Sequence, residues 1–167
     1  DKPMYRHVAD EINMVTPDCF AKKIVVSQYD EILQDLEQDG FEAVKNTESI
    51  LGISHSIHLA LEQIPEHYAV CFSVCDQPWL TGETIQGLVS AFRKNKKGIA
   101  CVTCQEQDGN PVLFAPEYRK ELLKLTGDVG GKRVLLAHPE DVIRYPANNS
   151  RELADVDEKS QLCYNQE

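Results

Sequence analysis

Val70-Cys71-Phe72-Ser73-Val74-Cys75-Asp76-Gln77-Pro78-Trp79-Leu80-Thr81 decides how the rest of the chain is read. From Tyr68 to Cys75 the residues are almost continuously apolar, the pattern of a strand buried in a parallel sheet. Thr81 then has the chemistry of a helix N-cap. Between them Asp76 is delivered to the carboxyl end of the strand, where ligands gather in open α/β sheets. A carboxylate there suits Mg²⁺ beside a phosphate, since Mg²⁺ takes hard oxygen ligands and shares them with substrate phosphates. The alternative is a turn aspartate that only satisfies local amides.

Outward from this stretch, strands alternate with amphipathic helices. Upstream, Met4, Val8, Ile12 and Val15 share one helix face behind Pro3, Lys23 to Ser27 reads as a buried strand, and Asp30 to Asp39 as a helix with Ile32, Leu33 and Leu36 inward, ended by Gly40. Phe41 to Val44 is a short strand, and Ile53, Ile57, Leu61 and Ile64 mark a helix stopped by Pro65. Downstream, a helix carries Ile85, Leu88, Val89 and Phe92 to a basic end, and Ile99 to Cys104 is a strand. Asp108-Gly109 then predicts the tight turn of a hairpin returning through Pro111 to Phe114. Tyr118 to Leu125 reads as helix, Thr126 to Gly131 as a loop, Val142 to Tyr145 as a strand, and an acidic tail begins near Asp155. Such alternation predicts one domain over residues 1–167, a Rossmann-like α/β sandwich of three layers with a mostly parallel sheet and one antiparallel hairpin over about Ile99 to Phe114.

The net charge of -10 argues against nucleic acid or an anionic membrane as partner, because both select basic surfaces. No apolar run approaches the ~18 to 20 residues of a spanning helix, and the chain reads as soluble and cytoplasmic. The six cysteines are not spaced for zinc or a disulfide. Cys101 and Cys104 fall on opposite faces of a strand, and Cys71 and Cys75 would stand ~13 Å apart along theirs. Small buried thiols in a reducing compartment account for them better. His55 and His58 lie three apart on a helix, with Glu62 the only nearby carboxylate, and read as a helix face rather than a metal site.

Several segments, in order, resemble the MobA-like nucleotidyltransferases. Asp76-Gln77-Pro78 is similar to the family's G-D-x-P segment, with Cys75 in place of Gly. Gly52-Ile53-Ser54-His55-Ser56 resembles its G-[ML]-x-x-S-[IL], Gly109-Asn110-Pro111-Val112-Leu113-Phe114 its G-[HN]-P-V-[LI]-F, and Gly127-Asp128-Val129-Gly130-Gly131-Lys132 its G-D-x-G-[AG]-[RK]. Asp155-Val156-Asp157 resembles the closing D-I-D-T-P, with Glu158-Lys159 replacing Thr-Pro. These segments span about residues 45–160.

The resemblance implies the nucleotide-diphospho-sugar transferase type of fold and the joining of a nucleoside monophosphate to molybdopterin. It makes Asp76 the catalytic residue and Mg²⁺ ligand, with Asp157 as second ligand and Asp155 as fallback. Gly52, Ser56, Asp76 and Pro78 are implied to bind nucleotide, and Gly109, Asn110, Pro111, Gly127, Asp128 and Gly130 to bind molybdopterin. Each group also has a plain structural reading: Gly52 and Ser56 as a helix cap, Gly109 and Asn110 as a hairpin turn, the Gly127 loop as a connection, and the two aspartates as acidic tail. D-x-D at the close is the cytidylyl branch's pattern, so CTP is the expected substrate, molybdopterin the partner, and a molybdenum hydroxylase the recipient of the product.

The family's opening strand and its glycine-rich triphosphate loop do not occur in the sequence, and Asp1-Lys2-Pro3-Met4 resembles the G-K-P-[ML] that follows that loop, roughly 25 residues into a family member. These residues alone are therefore expected to bind triphosphate weakly and to be inactive, with two strand edges unpaired mid-sheet. Two rival functions remain: another transferase of the same fold, guanylyl or sugar-phosphate, or a non-catalytic chaperone carrying the molybdenum cofactor to a hydroxylase.

Overall fold

A computed structural model describes residues 2–158. The layering is plainest in strand β4 (Ile99–Cys104), whose alternate residues enter different cores. Ile99 and Cys101 pack with Ile57 and Leu61 of helix α3 (Ile53–Glu62), Leu122 of α5 (Arg119–Leu122), and Val134 and Leu135 of α6 (Lys132–Ala137). Ala100 and Val102 pack on the opposite side with Leu88 and Val89 of α4 (Gly82–Lys94). All four of these β4 residues are fully buried. Helices thus cover both faces of the sheet, as the alternation of apolar strands and amphipathic helices requires.

In this sheet the strand order is β3 (Val70–Phe72), β5 (Gln107–Phe114), β4 and β6 (Val142–Pro146). β4 pairs in parallel with β6, while β5 runs antiparallel to both β3 and β4 and is the reversed strand of the four. A separate parallel pair is formed by β1 (Ile24–Ser27) and β2 (Glu42–Lys45). Helix α1 (Met4–Met14) and helix α2 (Asp30–Glu37) contribute Ala9 and Leu36 to a further core with Phe41.

The mixed α/β class is as the sequence predicts, with four differences in detail. First, of the strand expected over Tyr68 to Cys75 only Val70–Phe72 form strand pairs, at the edge of the sheet. Among the described residues β1 and β3 each have a strand partner on one side, and residues of both wall one cleft of about 1140 Å³. Secondly, the hairpin turn lies at Gln105 and Glu106, both at positive φ (49° and 64°), not at Asp108-Gly109. Cys104 pairs with Gln107, and Gly109 sits within β5 opposite Val102, next to a register shift at Cys101 and Val102. Pairing of the apolar ends, Ile99 with Phe114, sets this register and overrides the local Asp-Gly preference. Thirdly, the helix expected over Tyr118 to Leu125 is a 3₁₀ turn (Pro116–Tyr118) followed by the short α5. Fourthly, a 3₁₀ turn that the sequence reading did not foresee, Ser150–Leu153 capped by Asn149, lies between β6 and Asp155, and Glu152 in it is fully buried. No helix among the described residues is long and apolar enough to cross a membrane.

Candidate functional site

Asp76 lies on the bend that follows β3, an exposed residue whose carboxyl is still partly desolvated by the chain around it. Its backbone carbonyl accepts a hydrogen bond from the Val156 amide at 2.8 Å. Val156 is buried and Asp155 and Asp157 are exposed on either side of it. In an extended segment, residues two apart share a face, so the buried valine sets both aspartates toward the opposite side. The closing segment thereby comes to Asp76, and the electrostatics register it. Burial, then the charge of Asp155 and less strongly that of Asp157, raise the Asp76 carboxyl above its ordinary value. Asp155, the fallback of the two in the sequence reading, is the stronger influence.

The fastening of this segment was not legible in the motifs. Glu152 accepts from the hydroxyls of Thr81 (2.6 Å) and Thr84 (2.7 Å) and from the Asn148 amide (3.1 Å). It therefore ties the segment to the first turn of α4, where Thr81 is the N-cap and a negative charge is favoured. Arg151 lies over the Trp79 ring at 4.6 Å. Gln77, buried beside Asp76, donates from its amide nitrogen to Asp155 Oδ1 at 2.8 Å. The one signal in the sequence was Asn149 with Glu152 three residues on, the spacing of a helix-capping pair, which marks a helical turn but not its burial.

Gly52 and the Gly127 loop meet directly. Gly52 is at φ +89°, and a Cβ there would come within 2.4 Å of the Gly127 carbonyl group. The Gly127 carbonyl accepts from both the amide (3.2 Å) and the hydroxyl (2.7 Å) of Ser54. Gly52 itself donates its amide to Ser49 at 3.1 Å. The amides of Gly52 and Ser54 are thus already bonded within the protein, and it is close backbone approach that demands a glycine at Gly52. The Ser56 hydroxyl accepts from Asn46 at 3.0 Å; Asn46 is buried and also escaped the sequence reading. Asp128 is exposed on the loop, and Pro78 is buried in the turn after Asp76.

Gly109, Asn110 and Pro111 belong to β5 and not to a turn. A Cβ on Gly109 would meet the Leu153 side chain at 2.9 Å, so this glycine makes room for the closing segment. Asn110, Pro111, Gly130 and Ser56 all line the large cleft, together with Ser73, Val74 and Cys75 just ahead of Asp76. Gly52, Gly127 and Asp128 do not line it, and neither do Asp76 and Asp157. His58 bonds to the Leu122 carbonyl at 3.2 Å and so faces the protein.

Among the described residues no three His, Cys, Asp or Glu side chains are grouped to hold a metal ion unaided. A set of carboxylates at Asp76 and Asp155 fits a different use: Mg²⁺ is commonly held by one or two carboxylates with the remaining positions taken by water and substrate phosphates. The oxygen-only chemistry of the pair suits a hard cation, and the charge of Asp155 is, after burial, the second cause of the raised Asp76 carboxyl.

The family described as MobA-like NTP transferase domain matches residues 1–142. No curated protein matches the chain. Of solved structures, the homologue of Mycobacterium tuberculosis Rv0371c from Mycobacterium sp. strain JC1 is similar with a TM-score of 0.72 and 23% identity, over 93% of this chain and 75% of that one. Rv0371c of M. tuberculosis H37Rv, in a complex with manganese, gives a TM-score of 0.73 and 17% identity over 88% of this chain and 77% of that one. CMP:2-keto-3-deoxy-manno-octonic acid synthetase complexed with CTP gives 0.70 and 11% over 96% and 85%. At these identities the likeness is one of fold.

Proposed function

This chain belongs to the MobA-like NTP transferase domain family, and on that premise we propose that it serves to transfer CMP from CTP to molybdopterin, releasing pyrophosphate. A phosphate oxygen of molybdopterin attacks the α-phosphorus of CTP, a new P–O bond forms, and the bond from that phosphorus to the oxygen bridging to the β-phosphate breaks. No general base is needed, because the attacking phosphate is already ionised near neutral pH. Mg²⁺ supplies neutralisation of the charge that builds on the phosphate oxygens.

The chain's own part is to hold and orient. Asp76 carries the cation, with Asp155 and Asp157 brought beside it. Asn110, a two-way hydrogen bonder, suits the polar edge of a pterin, and Gly109, Pro111, Gly127, Asp128 and Gly130 are assigned to the same side. Gly52, Ser56 and Pro78 are assigned to the nucleotide side; given the bonds of Gly52 and Ser54, Gly52 acts there by bracing the Gly127 loop. The observation that carries the reading is the Val156 to Asp76 hydrogen bond, which brings the closing Asp-x-Asp to the strand-end aspartate. Support from outside the chain is the manganese complex of Rv0371c and the CTP complex of the octonic acid synthetase, both of this fold.

The test is pyrophosphate release by the full-length gene product given molybdopterin, Mg²⁺ and either CTP or GTP. Faster release with CTP is expected; preference for GTP overturns the nucleotide, and release without molybdopterin but with a sugar phosphate overturns the acceptor.

A further inference from the structure

Gln77 follows Asp76 in the chain, yet its side chain turns into the protein and is only 4% exposed. Its amide nitrogen donates to Asp155 Oδ1 at 2.8 Å and, at the longer 3.4 Å, to the Leu153 carbonyl. Its carbonyl oxygen, Oε1, is buried with no hydrogen-bond partner. If this position served packing alone, a Met or Leu would fill the space without burying a polar group that is left half satisfied. What the carboxamide does here that an apolar side chain could not is donate to a carboxylate. An exposed aspartate has several rotamers, and ordering it costs entropy when a ligand arrives. A hydrogen bond to one of its oxygens meets that cost in advance and leaves the second oxygen directed elsewhere, which is how the carboxylates of metal sites are commonly braced.

Resting on the reading of Asp76 as the cation's carboxylate, we infer that Gln77 is a positioning residue for the metal: it holds Asp155 beside Asp76 so that both take one divalent ion. It touches neither substrate nor ion and acts through Asp155. Gln77 and Asp76 are adjacent in one turn, in which the Leu80 amide donates to the Gln77 carbonyl at 3.2 Å, so Asp155 is gripped one residue away from Asp76.

The experiment measures Mn²⁺ affinity of the whole chain by electron paramagnetic resonance, with a thermal melt to establish folding, for wild type, Gln77→Met, Asp155→Asn, the double variant and Asp76→Asn. Gln77→Met should weaken Mn²⁺ about tenfold or more while keeping a cooperative melt, and should add little in the Asp155→Asn background, where its target is already altered. Gln77→Asn, which retains the amide but is too short to reach Asp155, gives the same loss and serves if the Met variant does not fold. Equal losses in both backgrounds would mark Gln77 as a packing residue, and wild-type affinity in Gln77→Met and Gln77→Asn alongside loss in Asp76→Asn would sink the inference alone. Wild-type affinity in Asp76→Asn would instead sink the site reading beneath it.

Discussion

The Val156 amide donates to the Asp76 carbonyl at 2.8 Å, joining the last described stretch of chain to the bend that follows β3. That bond places Asp155 and Asp157 on the side of the strand-end carboxylate, and the two aspartates are not equivalent. Asp155 acts more strongly on Asp76 and is gripped by Gln77. Asp155→Asn is therefore expected to weaken Mn²⁺ binding more than Asp157→Asn does, as read by calorimetric titration. The reverse order would return the second ligand to Asp157.

Glu152 is a fully buried carboxylate that takes three donors, two of them threonine hydroxyls. Glu152→Ala strands those donors and should cost about 3 kcal/mol in urea unfolding. Glu152→Gln, which keeps an acceptor oxygen and the shape, should cost less. A loss in Glu152→Ala no larger than that of an exposed substitution such as Glu31→Ala would mean that the segment is held by other contacts.

The two glycines that meet across the fold should respond differently to a methyl group. At Gly52 a Cβ lies 2.4 Å from the Gly127 carbonyl group and φ is +89°, whereas at Gly127 φ is +69° but nothing lies within 4 Å. Gly52→Ala is expected to cost about 3 kcal/mol and to loosen the 127–131 loop, seen as faster amide exchange there. Gly127→Ala should cost about 1 kcal/mol, the left-handed backbone alone. Equal costs would show that the close approach yields easily.

The raised Asp76 carboxyl gives a pH signature with a definite sign. A carboxyl whose folded pKa exceeds its unfolded one makes the native state bind more protons than the unfolded state between those two values. Its contribution to stability is fully present below the unfolded pKa and is lost as pH rises through the folded one. Asp76→Asn removes that dependence, so the variant should melt above wild type at pH 7, and the difference should shrink as pH falls through the carboxylate range. Melting curves at several pH values check this; a variant that melts below wild type at pH 7 would show that the charge is stabilised where it stands.

Much of the fold was legible because its signals are local and periodic. The helix faces through Val8, Leu33, Leu36, Ile57 and Leu61, the cap at Thr81 and the strand Ile99–Cys104 all stand where their spacing puts them. The hairpin was legible as a pair of strands but not as a turn, since Asp108-Gly109 is the stronger turn dipeptide and Gln105-Glu106 took the positive φ angles instead. Strand register there answers to which side chains face the core, and a dipeptide preference of a kcal/mol or so does not outweigh it.

The amino-acid sequence by itself determined the order of strands and helices, the place of Asp76 in the turn between a strand and a helix, and the motifs that mark the family, since each depends on residues close together in the chain. Only the tertiary structure decided that Gly52 must be a glycine because of Gly127, that Glu152 is a buried fastener, and that Gln77 looks inward to Asp155. Those three rest on contacts such as that between Ser54 and Gly127, 73 residues apart. A hydrogen bond or a steric limit between distant segments leaves no periodic trace in either one, because each residue's partner is set by where the packed layers bring the chain back.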